Sequence, residues 1–455
     1  MNLDRRTLLL ALPAAALTSA LPGAAAARAP AAPLRVPPLP LRGWSLDNGL
    51  QVVALPDDRA SSVSVQLWYR VGGKDDPPGR SGFAHLFEHL MFKGTRHMPA
   101  ETIDRLTEDV GGQNNAFTTE DFTVYQSEVP SNHLEPLLWA EAERMAHLEV
   151  EQAHFDSERQ VVIEEYRERV LAAPYGRLFE ALAPAAFEHH PYGRGVIGRI
   201  DDLQSATLAD VQAFHRSFYR PDNAALVVAG GFDAADLEGW VRRYFAPIVR
   251  PTAPIPRVSA HEPARERDAE RRLAAPGVPL PAVALVWRGP RAAHGDAAAL
   301  QVAASLLAGG ESSRLHEALV RRQRLARATG FGADLWADAG LLVAWAIAAG
   351  GVDPAPLAKA LSHELAQLAA RGPAAAELDK VRTGLATRAL AERETPQGRA
   401  EAAGWALTLR GDAAAADREL AELQAVGAAD VQRVVRTHLL ERRRVALTYV
   451  QGDAR

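Results

Sequence analysis

The segment Gly82-Phe-Ala-His-Leu-Phe-Glu-His-Leu-Met-Phe92 places His85, Glu88 and His89 in an H-x-x-E-H pattern. Residues four apart share one face of an α-helix, so a helix here lets His85 and His89 hold one metal ion together. Glu88 stands one turn from His85 and beside His89, where it reaches a water on that ion without being a ligand. Hydrolytic Zn²⁺ takes three protein ligands, keeps one position for water and lowers that water's pKa; a carboxylate then removes the proton. The apolar neighbours Phe87, Leu90 and Phe92 argue against a solvated surface helix. The third donor comes from elsewhere. Glu158-Arg-Gln-Val-Val-Ile-Glu-Glu-Tyr-Arg-Glu168 reads as helix, and Glu158 and Glu165, seven apart, share a face. Spacing alone leaves Glu164 and Glu165 both open as the ligand.

The chain that must position these groups has 455 residues, 47% hydrophobic and 24% charged, a globular composition long enough for two domains. A net charge of −5 gives no basic excess for nucleic acid. There is no cysteine, which excludes thiolate metal sites, cysteine nucleophiles and disulfides. At the N-terminus Arg5 and Arg6, the short apolar run Thr7–Leu17 and the small residues Ala24–Ala27 follow the order of an export signal over 1–29, with a twin-arginine character. The run is shorter than the about 20 residues of a membrane span. A periplasmic or secreted protein with no stable membrane insertion is expected.

Trp44–Leu55 reads as a first strand pair with Asn48-Gly49 as its turn, and Ser62–Tyr69 alternates as a strand. Helices are expected over 81–93, 99–110, 131–171 (as two) and 205–218, with strands over 113–129 and 224–230. Seven prolines and a charged cluster in 246–280 suggest an interdomain linker. Leu203-Gln204 with Ala209-Asp-Val-Gln212 recurs 220 residues later as Leu423-Gln424 with Ala429-Asp-Val-Gln432. A duplicated unit follows: an α+β fold of two homologous domains, each a mainly antiparallel sheet packed with helices. The expected division is a metal-binding domain over 30–250, a linker over 251–280 and a second domain over 281–455.

The sequence resembles the pitrilysin/insulinase metallopeptidase family, on the branch of the mitochondrial processing peptidase and its bacterial relatives. The matching runs are Leu46–Leu50, Gly82–Thr95, Gly111–Thr118, Glu158–Glu165, His190–Gly193 with Val196–Gly198, and Phe218–Asn223. The resemblance implies that Glu165 is the third ligand of one Zn²⁺ per chain, with Glu158 supporting the site from outside the ligand set. Glu88 is then the catalytic base. It also implies that Asn115, Ala116, Phe117 and Thr118 lie on a sheet edge to which a peptide substrate adds as a strand.

The second half has no H-x-x-E-H; its nearest analogue is Gly309–Glu317, and His316 and His363 lack partners at ligand spacing. Where relatives carry a substrate-gripping tyrosine in an R-G-L-A-Y run, this chain has Arg324-Leu-Ala-Arg327. The expectation is an exported zinc endopeptidase for short or unfolded peptides, the zinc subunit of a heterodimer whose inactive homologous sister supplies the grip. A self-sufficient homodimer and a non-catalytic scaffold subunit are the alternatives.

Overall fold

The computed structural model describes residues 36–452; the expected signal over 1–29 lies outside them. Among these residues eleven strands form two sheets. The first joins β1 (Arg42–Ser45), β2 (Gln51–Pro56), β3 (Ser62–Tyr69), β4 (Gln113–Thr118), β5 (Thr123–Pro130) and β6 (Ala224–Gly230) in the order β1-β2-β6-β3-β5-β4. The second joins β7 (Ala269–Ala275), β8 (Ala282–Gly289), β9 (Ala326–Leu335), β10 (Gly340–Ala348) and β11 (Val445–Gln451) in the order β7-β11-β8-β10-β9.

Apart from β1, which has no counterpart in the second sheet, the two orders are one topology. β2–β6 and β7–β11 are the parallel pairs, and the other neighbours run antiparallel. Four helices matter for the site, α1 (Phe83–Leu90), α2 (Gln152–Tyr166), α3 (Leu208–Phe218) and α4 (Pro396–Arg410), and α5 (Ala428–Val435) is the counterpart of α3 in the second half. α3 and α5 carry the repeated Ala-Asp-Val-Gln, and its aspartate does the same task twice. Asp210 Oδ2 accepts the Thr207 N–H at 3.2 Å, and Asp430 Oδ2 accepts the Gly427 N–H at 3.0 Å, each closing a free donor at a helix start.

Each sheet is covered on one face by helices of its own half and on the other by a helical segment from the opposite half. Ala400, Ala403, Ala406 and Leu407 of α4 pack on Val53, Leu55, Trp68 and Val227 of the first sheet. In return Leu178, Leu182, Ala185 and Phe187 pack on Ala284, Val286, Leu341 and Leu447 of the second. Gly404 makes the first contact possible: a Cβ there would stand 2.2 Å from the Trp68 ring.

Two expectations change. The single strand over 113–129 is a hairpin, β4–β5. Its turn contains neither Gly nor Pro; Thr119 Oγ1 builds it by accepting the N–H groups of Asp121 and Phe122 at 3.2 and 3.1 Å. The charged stretch read as linker contains β7. β7 is an edge strand whose Glu270, Arg271 and Arg272 face solvent, so its main-chain pairing with β11 left no apolar alternation to read.

Candidate metal centre

α1 buries Phe83, Leu86, Phe87 and Leu90, spaced at helical intervals, against the first sheet. Its start is fixed from a distance: Asp76 accepts the N–H of Gly82 at 2.7 Å and of Ala84 at 2.9 Å, and Gly82 takes φ 92°, the left-handed conformation open to glycine. The opposite side of α1 turns His85, Glu88 and His89 towards α2 and the β4–β5 hairpin.

Glu165 Oε2 lies 3.6 Å from His85 Nε2 and 3.6 Å from His89 Nε2. Among the described residues this trio is the cluster of three donors within 4.8 Å of one another. Donors about 2.1 Å from a tetrahedral zinc stand about 3.4 Å apart, so the three atoms fit one ion with little movement. Burial strips water from His85 and, with the charges of His89 and Arg169, pushes its pKa down to about 3, leaving the neutral imidazole that a metal needs.

The supporting shell is continuous. His89 Nδ1 lies 3.3 Å from Glu158 Oε2, and Glu158 Oε1 lies 2.8 Å from Lys93 Nζ. Burial works against the Glu158 charge, but the bonds from His89 and Lys93 outweigh it and hold the carboxyl below its ordinary range. Arg169 Nη1, 2.6 Å away, takes Glu165 Oε1 and leaves Oε2 facing the histidines. Glu164, the alternative left open by spacing, points outward, 59% exposed, to Arg167.

Glu88 stands beside this trio. Thr118 Oγ1 donates to its Oε2 at 2.6 Å. Burial raises the Glu88 pKa, and the Thr118 bond and His89 pull it back. Lys93, Arg169 and this use of Thr118 were not foreseen. Arg169 stands four residues after Glu165, a helical spacing that could have shown it; Lys93 lies in the turn beyond the end of α1, where no helical spacing applies.

β4 is the free edge of its sheet. Thr119 N–H donates to Phe122 O at 2.9 Å, which sets the antiparallel alternation and turns the main-chain groups of Ala116 and Thr118 away from β5. The four residues expected at the edge divide between the faces. Ala116 packs with the core under α1, as Thr118 meets Glu88; Phe117 packs on the α4 side and stacks on Trp405. Asn115 Oδ1 accepts the Ala116 N–H at 2.9 Å, covering that outward donor.

Comparison with known proteins follows the same division. A model described as Insulinase (Peptidase family M16) matches residues 52–199, and one described as Peptidase M16 inactive domain matches 205–385. A protein of Mycobacterium leprae named uncharacterized zinc protease ML0855 is 32% identical over 343 residues, 73% of this chain and 74% of the relative. The chain belongs to the M16 peptidase family. Another relative, named zinc protease PqqE, of Helicobacter pylori, is 35% identical over 284 residues; the match spans 62% of this chain and 64% of that protein, less than two thirds of its length. The crystal structure of a protease from Helicobacter pylori has the same fold, with a TM-score of 0.88 at 28% identity over 91% of this chain and 100% of the other. No helix among the described residues is long and apolar enough to cross a membrane.

Proposed function

We propose that this M16 chain is a zinc metallo-endopeptidase acting on short or unfolded peptides. The observation that carries the reading is the convergence of His85, His89 and Glu165 beside Glu88 at the open edge β4. Zinc held by the three donors supplies Lewis acidity towards a water and the scissile carbonyl. The remaining work belongs to the chain. The outward main-chain groups of Ala116 and Thr118 hold an added peptide strand, which takes over the donor now covered by Asn115. Glu88, with Oε2 fixed by Thr118, accepts a proton from water at Oε1 and returns it to the departing amine nitrogen. Glu158 and Arg169 orient His89 and Glu165 from behind.

The 1–29 segment supports export to the periplasm or beyond. A two-chain complex is supported by Arg327, which stands exposed at the start of β9 where relatives carry the gripping tyrosine; an inactive homologous sister chain then supplies the oxyanion contact. A homodimer is the competing assembly. The test is metal analysis of the mature chain together with cleavage of a quenched-peptide mixture, with and without a chelator. One zinc per chain and chelator-sensitive cleavage, alone or with the sister chain, are expected. Chelator-insensitive cleavage, or a chain that binds no zinc, would overturn the reading.

A further inference from the structure

On the face of the β4 edge turned away from the metal, the sheet register lines up two rows of polar side chains. Gln66 on β3, Gln126 on β5 and Asn115 on β4 form one; Ser64, Glu128 and Gln113 form the next. Such rows are unusual on a covered sheet face, where the neighbouring row, Trp68, Val124 and Phe117, is apolar. Between them and α4 opens a recess of about 130 Å³ lined by Ser64, Gln113, Asn115, Gln126, Glu128 and Gln397. It is the volume of about four waters.

One buried acceptor in the recess has no donor. Gln126 Oε1 is fully buried with no hydrogen-bond partner. The Glu128 carboxylate has one oxygen engaged by Ser62 Oγ at 2.7 Å. No Lys, Arg or His is among the lining residues. A buried acceptor without a partner is costly, and a carboxylate in the lining favours a cationic donor.

We propose that this recess is a side-chain subsite that selects lysine or arginine in a peptide added to β4. The inference rests on the strand-adding peptidase reading above. A residue paired across from Asn115 projects its side chain to the same face as Asn115. It thus meets Gln126 Oε1 and Glu128, while the residue two positions along meets Phe117 and Trp405. Selection at the recess is separate from the metal side of the edge, where Thr118 and Glu88 stand.

The test uses the full zinc-loaded chain carrying Glu88→Gln, so that peptides bind without turnover. Fluorescent Ala/Ser-rich peptides carry one lysine or one norleucine, scanned through each position, and binding is read by anisotropy. At one position lysine should bind about tenfold more tightly than norleucine. Adding Gln126→Met or Glu128→Gln should bring that ratio towards one; a ratio is independent of the active fraction. Equal binding at every position, a preference indifferent to position, or a ratio that survives both substitutions would overturn the subsite. Failure of every peptide to bind would instead overturn the strand-adding reading on which it rests.

Discussion

Thr118 Oγ1 donates a 2.6 Å hydrogen bond to Glu88 Oε2, tying the strand that would carry a substrate to the carboxylate that would move its protons. The two groups come from β4 and α1, so the bond also fixes the edge against the site helix. Thr118→Val should lower kcat/KM by about 10- to 100-fold with bound zinc unchanged, and Thr118→Ser should keep most activity. Steady-state kinetics paired with metal analysis checks both.

Lys93, Glu158 and His89 form a chain of contacts at 2.8 and 3.3 Å leading to the trio. Glu158→Gln removes the charge that fixes the His89 ring and should weaken zinc binding by about 10- to 100-fold. Lys93→Met should act in the same direction and less. Competition with a chromophoric chelator reads both without any substrate.

Gly404 is where α4 crosses Trp68, a ring fully buried in the first sheet. Alanine in a helix interior gains about 1 kcal/mol over glycine. A Cβ at 2.2 Å from a rigid, enclosed ring cannot be relieved by a rotamer change. Overpacking should win, with Gly404→Ala losing about 1–3 kcal/mol in urea unfolding.

A polar clasp joins the β4–β5 turn to the β9–β10 turn. Asp121 meets Tyr192 Oη at 2.6 Å and Lys74 Nζ at 2.8 Å and accepts the Ala337 N–H at 2.8 Å; Asp338 lies 2.9 Å from Lys74 and 3.5 Å from His190. The bond with His190, and then Lys74, hold the Asp338 carboxyl well below its usual range against the effect of burial. A depressed carboxyl stabilises the fold above its unfolded pKa of about 3.9, and that stability is lost as pH falls towards the lower folded value. Asp338→Asn should therefore lower Tm at pH 7, with the gap to the unsubstituted chain narrowing below about pH 4.

What could be read in advance was local. His85, Glu88 and His89 sit within one helical turn and a half, so their meeting needs only α1 to form. The Asp210 and Asp430 caps repeat because a helix start is encoded in a few residues. The choice of Glu165 over Glu164 needed the family resemblance, since it depends on how α2 is rotated against α1. The α4 crossing was illegible for the same reason: Gln66 Nε2 reaches Gln397 O at 3.2 Å across 331 residues. Nothing in the Ala-rich run of α4 names Trp68 as its partner. The β4–β5 turn and β7 escaped notice because a threonine hydroxyl and a charged edge replace the usual turn and strand signals.

The most direct test of the account compares the zinc-loaded chain with its Glu88→Gln variant on one quenched-peptide mixture, each assayed alone and with a sister chain, with bound zinc measured in both. The account predicts turnover lower by about 100- to 10,000-fold in Glu88→Gln at unchanged zinc content. Near-normal turnover by that variant would contradict it.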